Sequence, residues 1–144
     1  MNDPRVAVVT GASSGIGAAT AAALAEAGFH VVVGARRVDR LEAVAAPIGA
    51  TALPLDVTDP VSVDAFCAQV PRCDVLVNNA GGALGLAPIA EADEEQWRIM
   101  YETNVAGVMR MTKALLPKIE AGGDGHVITI GSIAGHEPYP GGAG

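Results

Sequence analysis

The sequence predicts an α/β protein: one doubly wound parallel sheet with helices on both faces. Three observations lead there. Short β-branched runs alternate with longer helical stretches in the order βαβαβαβαβ, the pattern of parallel strands joined by right-handed crossovers. The runs are apolar throughout rather than alternately apolar and polar, as in strands covered on both faces. The chain is 50% hydrophobic but only 3% aromatic, with 18 glycines. Its core must therefore be built from Ala, Val, Leu and Ile, which suits helices lying close against a sheet. A length of 144 residues fits a single domain.

The five predicted strands are VAVVT from Val6, HVVVGA from His30, TALPLDV from Thr51 to Val57, VLVN from Val75 and HVITI from His126 to Ile130. Between the first two, an Ala-rich helix from Gly15 to Ala27 ends at Gly28, a natural C-terminal glycine. A second helix from Asp39 to Ala46 is expected to stop before Pro47 and Gly49. Asp59-Pro60, a cap followed by proline at the first helical position, opens a third that reaches about Gln69. Asp93 begins a long stretch to about Glu120, with Gln96 placed to complete a capping box and Pro117 expected to kink or end the last turn. Trp97, Met100, Val108, Met109, Leu115 and Leu116 on this stretch are spaced for core burial or a subunit interface. There is no internal repeat, low-complexity tract or linker.

Nine basic and sixteen acidic residues give a net charge of −7, which argues against a nucleic-acid surface. No run approaches the ~20 apolar residues that span a bilayer, and the start of the chain has no signal-peptide core, so a cytoplasmic location with no membrane partner is expected. Cys67 and Cys73 match no zinc or redox spacing and read as free, buried thiols. His30, His126 and His136 have no ligand spacing, so no metal is expected. Ser132, His136 and Glu137 invite a hydrolase triad, but Gly131-Ser132-Ile133 lacks the GxSxG elbow.

The chemistry-bearing feature is the turn after the first strand, Thr10-Gly11-Ala12-Ser13-Ser14-Gly15-Ile16-Gly17. Its glycines permit a tight turn and close approach of backbone amides to a ligand, and the helix N-terminus that follows presents free N–H groups. Strand, glycine loop and helix together make a Rossmann-like pyrophosphate site, with hydroxyl donors at Ser13 and Ser14. The spacing is GxxxGxG, and no GK[ST] follows, so this is not a Walker loop. An NAD site places an acid about 20 residues beyond the glycines. Here the second strand ends in Gly34-Ala35-Arg36-Arg37. Two guanidiniums suit a 2′-phosphate where a carboxylate would repel it, so the cofactor expected is NADP. Arg40 reads equally as a solvated charge.

These residues, together with Asp56-Val57, Asn78-Asn79-Ala80-Gly81, Asn104 and Ser132, resemble the short-chain dehydrogenase/reductases, in order along the whole chain. The stretches GARR (34–37), NNAGGALGLAP (78–88) and ITIGSIAGHEPYPGG (128–142) resemble in particular the NADP-dependent 3-hydroxy-acid and serine dehydrogenases. The resemblance implies that Asp56 and Val57 contact the adenine and that Asn79, Ala80 and Gly81 line the cofactor. It implies that Asn104 anchors a water in a proton relay and Ser132 holds the oxygen of a small alcohol or carbonyl substrate. It also implies a Tyr-x-x-x-Lys pair as the acid/base, and a dimer built partly on the long helix, hence a homo-oligomer.

The family's tyrosine would fall just beyond Gly144. Tyr139 stands between two prolines with Ala143 four residues on, so it is read as lining the substrate mouth or packing. The expectation is therefore a truncated NADP-binding Rossmann domain, residues 1–144, holding the N-terminal part of a dehydrogenase and inactive alone. With its fifth strand uncovered it would also be marginally stable. The alternative is a non-catalytic dinucleotide-binding module or sensor. A flavin or methyl-donor domain leaves Ser132, Asn104 and the arginine pair without a purpose.

Overall fold

The computed structural model describes residues 3–142. Its strands are β1 (Val6–Thr10), β2 (His30–Ala35), β3 (Thr51–Pro54), β4 (Val75–Asn78) and β5 (His126–Thr129). They form one sheet in the order β3-β2-β1-β4-β5, parallel throughout, with Val8 opposite Val32 on one side and Leu76 on the other. The helices are α1 (Gly15–Glu26), α2 (Val38–Ile48), α3 (Pro60–Ala68), α4 (Glu94–Tyr101) and α5 (Gly107–Ala121). Among the described residues no helix is long and apolar enough to cross a membrane.

The period-two geometry of a strand sends neighbouring residues to opposite faces, and both faces are filled. Val6, Val8, Val32 and Leu76 pack with Phe66 of α3 and Met111 and Leu115 of α5. Ala7, Val9, Val31, Val33 and Val77 pack with Ala21 of α1 and Leu41 of α2. This double cover is why the strands carry no polar alternation. β5 differs: its residues are exposed, Val127 by 43% and Ile128 by 47%.

Several boundaries differ from the sequence reading. β3 stops at Pro54, because Asp56 leaves the ladder and folds onto Thr58. α2 runs through Pro47 to Ile48. The proline forfeits only one bond in the last turn, and the stop comes from Gly49 at φ 65°, with Ala50 N–H returning to the Ala45 carbonyl at 3.0 Å. Pro117 likewise leaves α5 running to Ala121. The long stretch is not uniform: a π-helical turn, Glu102–Ala106, sits between α4 and α5. Asp93 caps α4 by accepting from Glu95 N–H, while Gln96 turns onto Gly85 rather than closing a capping box. The apolar set on the long helix divides. Met111 and Leu115 are core, whereas Trp97, Met109 and Leu116 are exposed.

Candidate functional site

The sheet order reverses between β1 and β4, and an open cleft of about 1390 Å³ lies there at the carboxyl ends of the strands. It is lined by Gly11, Ser13, Ser14, Gly15, Ile16, Arg36, Arg37, Asp56, Val57, Asn79, Ala80, Gly81, Asn104 and Ser132. Of the site residues drawn from the sequence, Gly17 alone lies off the lining. A Cβ there would meet Asn79 Nδ2 at 2.5 Å and the Gly11 carbonyl at 2.6 Å, so Gly17 lets α1 seat against the end of β4.

Thr10, buried at the end of β1, organises the floor. Its Oγ1 accepts N–H bonds from Asn79 at 3.1 Å and Ala80 at 2.9 Å. Asn79 answers with Nδ2, which donates to the Thr10 and Gly11 carbonyls at 3.0 and 3.1 Å. The glycine loop is thus bolted to the end of β4. Gly11 has φ 66°, and a Cβ on it would lie 2.8 Å from Ala80 Cα, so no other residue fits the turn. Sequence reasoning quoted Thr10 without giving it a role. The available signal was a hydroxyl closing an otherwise apolar buried strand.

At one end of the cleft stand the loop serines and the arginines. Arg37 Nη2 donates to Ser13 Oγ at 3.0 Å and Ser14 Oγ at 2.9 Å. Gly15, at φ 56°, has open space where a side chain would be. Asp56 Oδ1 accepts from Thr58 N–H and Oγ1 at 2.9 and 2.7 Å. Burial raises its pKa, but the Thr58 bonds and the Arg36 charge outweigh that and hold the carboxyl below its usual range. The two arginines therefore part company: Arg37 sits on the serines, while Arg36 acts on Asp56 through its charge.

At the other end Ser132 closes β5. Its Oγ accepts from Ala134 N–H at 3.1 Å as the cap of a short 3₁₀ turn, Ile133–Gly135. That bond uses an oxygen lone pair and leaves the hydroxyl proton free to donate. Asn104, inside the π-helical turn, grips the loop after β4: Oδ1 accepts from Gly82 N–H at 2.9 Å and Nδ2 donates to the Gly82 carbonyl at 2.8 Å. Both ends of the Asn104 side-chain amide are engaged in this clamp. Tyr139 lines the mouth, its ring packed so that a Cβ on Gly142 would lie 2.5 Å away. Trp97, Met100 and Tyr101 complete the wall.

The model of the short chain dehydrogenase family matches residues 5–144. An uncharacterized oxidoreductase of Mycobacterium tuberculosis is 60% identical over 140 residues, covering 97% of this chain and 56% of that protein. The NADP-dependent 3-hydroxy acid dehydrogenase of Salmonella typhi is 41% identical over 143 residues, covering 95% of this chain and 58% of its own length. The closed form of serine dehydrogenase complexed with NADP+ superposes with a TM-score of 0.90 at 37% identity, over 95% of this chain and 58% of that one. The chain thus spans little more than half the length of these relatives.

Proposed function

The chain belongs to the short-chain dehydrogenase family, and on that premise we propose that residues 1–144 are the NADP-binding domain of an oxidoreductase acting on a small hydroxy acid or similar alcohol. The observation that carries the cofactor choice is Arg37 held on Ser13 and Ser14, 3.0 and 2.9 Å away, at the start of α1. A guanidinium, two hydroxyls and the free amides of a helix N-terminus converge there, the donor set that a phosphate monoester needs. The open space at Gly15 and the length of the cleft from Arg36 to Ser132 fit a dinucleotide lying across the sheet. The names of an NADP-dependent 3-hydroxy acid dehydrogenase and of a serine dehydrogenase complexed with NADP+ among the similar proteins support the same reading.

When bound, the nicotinamide ring supplies the hydride donor or acceptor; the chain's residues position and polarise. Gly11 and Gly17 let the loop approach without side chains in the way, and Thr10 with Asn79 keeps it fixed to β4. The Ser132 hydroxyl donates to the substrate oxygen and stabilises charge as it develops there. A serine is too weak an acid to deliver the proton; the family resemblance assigns that task to a Tyr-x-x-x-Lys pair, expected after Gly144. Tyr139 walls the substrate mouth. A non-catalytic binding module would have no use for a cleft serine whose proton is left free by its own cap, which favours the enzyme reading.

The test is Arg36→Ala with Arg37→Ala in the full-length protein, with NADP and NAD affinities measured side by side. Charge-assisted bonds of this kind set an expected loss of about 10- to 100-fold for NADP, with NAD nearly unchanged. Equal losses for both dinucleotides would refute the assignment.

A further inference from the structure

The π-helical turn carries Asn104, and something must hold that turn in register. Thr103 Oγ1 donates to the Ile99 carbonyl at 3.0 Å, a bond that bends helices. Gly107 N–H reaches back five residues to the Glu102 carbonyl, the bond that defines the extra residue of a π turn. Gly107 itself packs where a Cβ would lie 2.8 Å from Val57 Cγ2.

Across this turn Arg110 Nη2 meets Glu102 Oε2 at 2.7 Å, and Nη1 donates to the Val57 carbonyl at 3.3 Å. The two side chains are eight residues apart. At about 100° per residue, an unbroken α-helix would set such a pair about 80° out of line. The additional residue of the π turn removes about one step and brings them to within about 20°. The ion pair therefore forms readily in the π register and is misaligned in the α register.

We propose that Glu102 and Arg110 are positioning residues: a latch that holds the π turn, and through it the Asn104 clamp on Gly82, while Arg110 ties the same turn to the Val57 wall of the cleft. Neither side chain lines the cleft. It sets where the loop after β4 stands relative to Ser132. The proposal rests on the dehydrogenase reading for its consequence in turnover, but not for its structural content.

The experiment is a double-mutant cycle in the full-length protein with Glu102→Gln, Arg110→Gln and both together. Hydrogen exchange at Gly82 N–H and at the Asn104 side-chain amide is followed by NMR, beside kcat and the NADP dissociation constant. Each single substitution is expected to speed exchange at both groups by about tenfold, and the double to do no more than either alone. Exchange in the β1 amides should stay as in the parent. kcat should fall while the dissociation constant holds within about twofold. Parent-like exchange at Gly82 in Glu102→Gln overturns the latch, and so does a double mutant whose effect is the product of the singles. If the parent protein neither binds NADP nor turns over, the functional reading falls while the exchange data still decide the latch.

Discussion

The two edges of the sheet handle their polar groups in opposite ways. At the amino edge Asp74, 2% exposed, sits just before β4. Its carboxylate accepts from Val6 N–H at 2.7 Å and from Arg72 at 2.7–3.0 Å. Its backbone pairs with the Val6 carbonyl on one side and His126 N–H on the other, so one residue joins the starts of β1, β4 and β5. Every one of these bonds ends inside the protein. At the carboxyl edge Thr10, Asn79 and Asn104 also brace loops, but Ser13, Ser14, Arg37 and Ser132 keep donors turned to the cleft. The same fold thus spends polar groups on closure at one edge and leaves them open to the cleft at the other. Substitutions at the two edges should separate stability from ligand affinity.

The largest effect is expected at the closed edge. Asp74→Ala strands the buried Val6 amide and releases the Arg72 guanidinium to solvent, and should cost about 2 kcal/mol of stability, read from the urea midpoint. NADP affinity of the folded fraction should not change. Arg72's hydrogen bonds lower the Asp74 pKa; burial opposes them and the Val6 amide assists, and the net result lies below the ordinary 3.8. A depressed carboxyl pKa contributes stability that is fully present above the unfolded value and is lost as pH falls through the folded one. The parent should therefore lose stability on acidification below about pH 4, and Asp74→Asn should flatten that limb. An unaltered acid limb would show that Asp74 is not the closing bolt.

How far the sequence could be read follows the same division. The glycine loop and the arginine pair were legible because their signal is local: glycines after an apolar strand, and two cations where an acid would otherwise stand. The sheet was legible because double burial writes continuous apolar runs. Asp74 was not, since nothing near it in the chain says that Val6 will lie beside it. The π turn was not legible either. Glu102-Thr103-Asn104-Val105-Ala106 is an ordinary helical string, and its irregularity depends on Gly107 reaching Val57 and on Arg110 reaching Glu102. Pro47 and Pro117 misled because a missing N–H near the end of a helix removes one bond without ending the helix.

A smaller effect is expected from Thr10→Val at the open edge. The shape is kept and the acceptor for the Asn79 and Ala80 amides is removed, which should cost about 1.5 kcal/mol. Here the loss should also appear in binding, because the glycine loop is no longer fixed to β4. NADP affinity should drop several-fold, and Thr10→Ser should restore it. A stability loss with parent-like affinity would mean that the Asn79 bonds to the Thr10 and Gly11 carbonyls hold the loop unaided.

The smallest effect concerns thiols, and it compares the edges with one reagent. Cys73, beside Asp74, is fully buried, and Cys67 lies in the same cluster. Burial pushes Cys67 to about 11, with Lys118 lowering it slightly, and pushes Cys73 to about 12, with the Asp74 charge adding to the rise. At pH 8 that leaves a thiolate fraction of about one in a thousand for Cys67 and about one in ten thousand for Cys73. Iodoacetamide should therefore leave the native protein unmodified by mass and label both thiols in urea. Ser14→Cys places the same group at the exposed start of α1, where the helix amides favour a thiolate, and it should label within minutes under native conditions. Native labelling of Cys73 at a comparable rate would show that the amino edge opens as readily as the cleft, and the contrast between the two edges would fail.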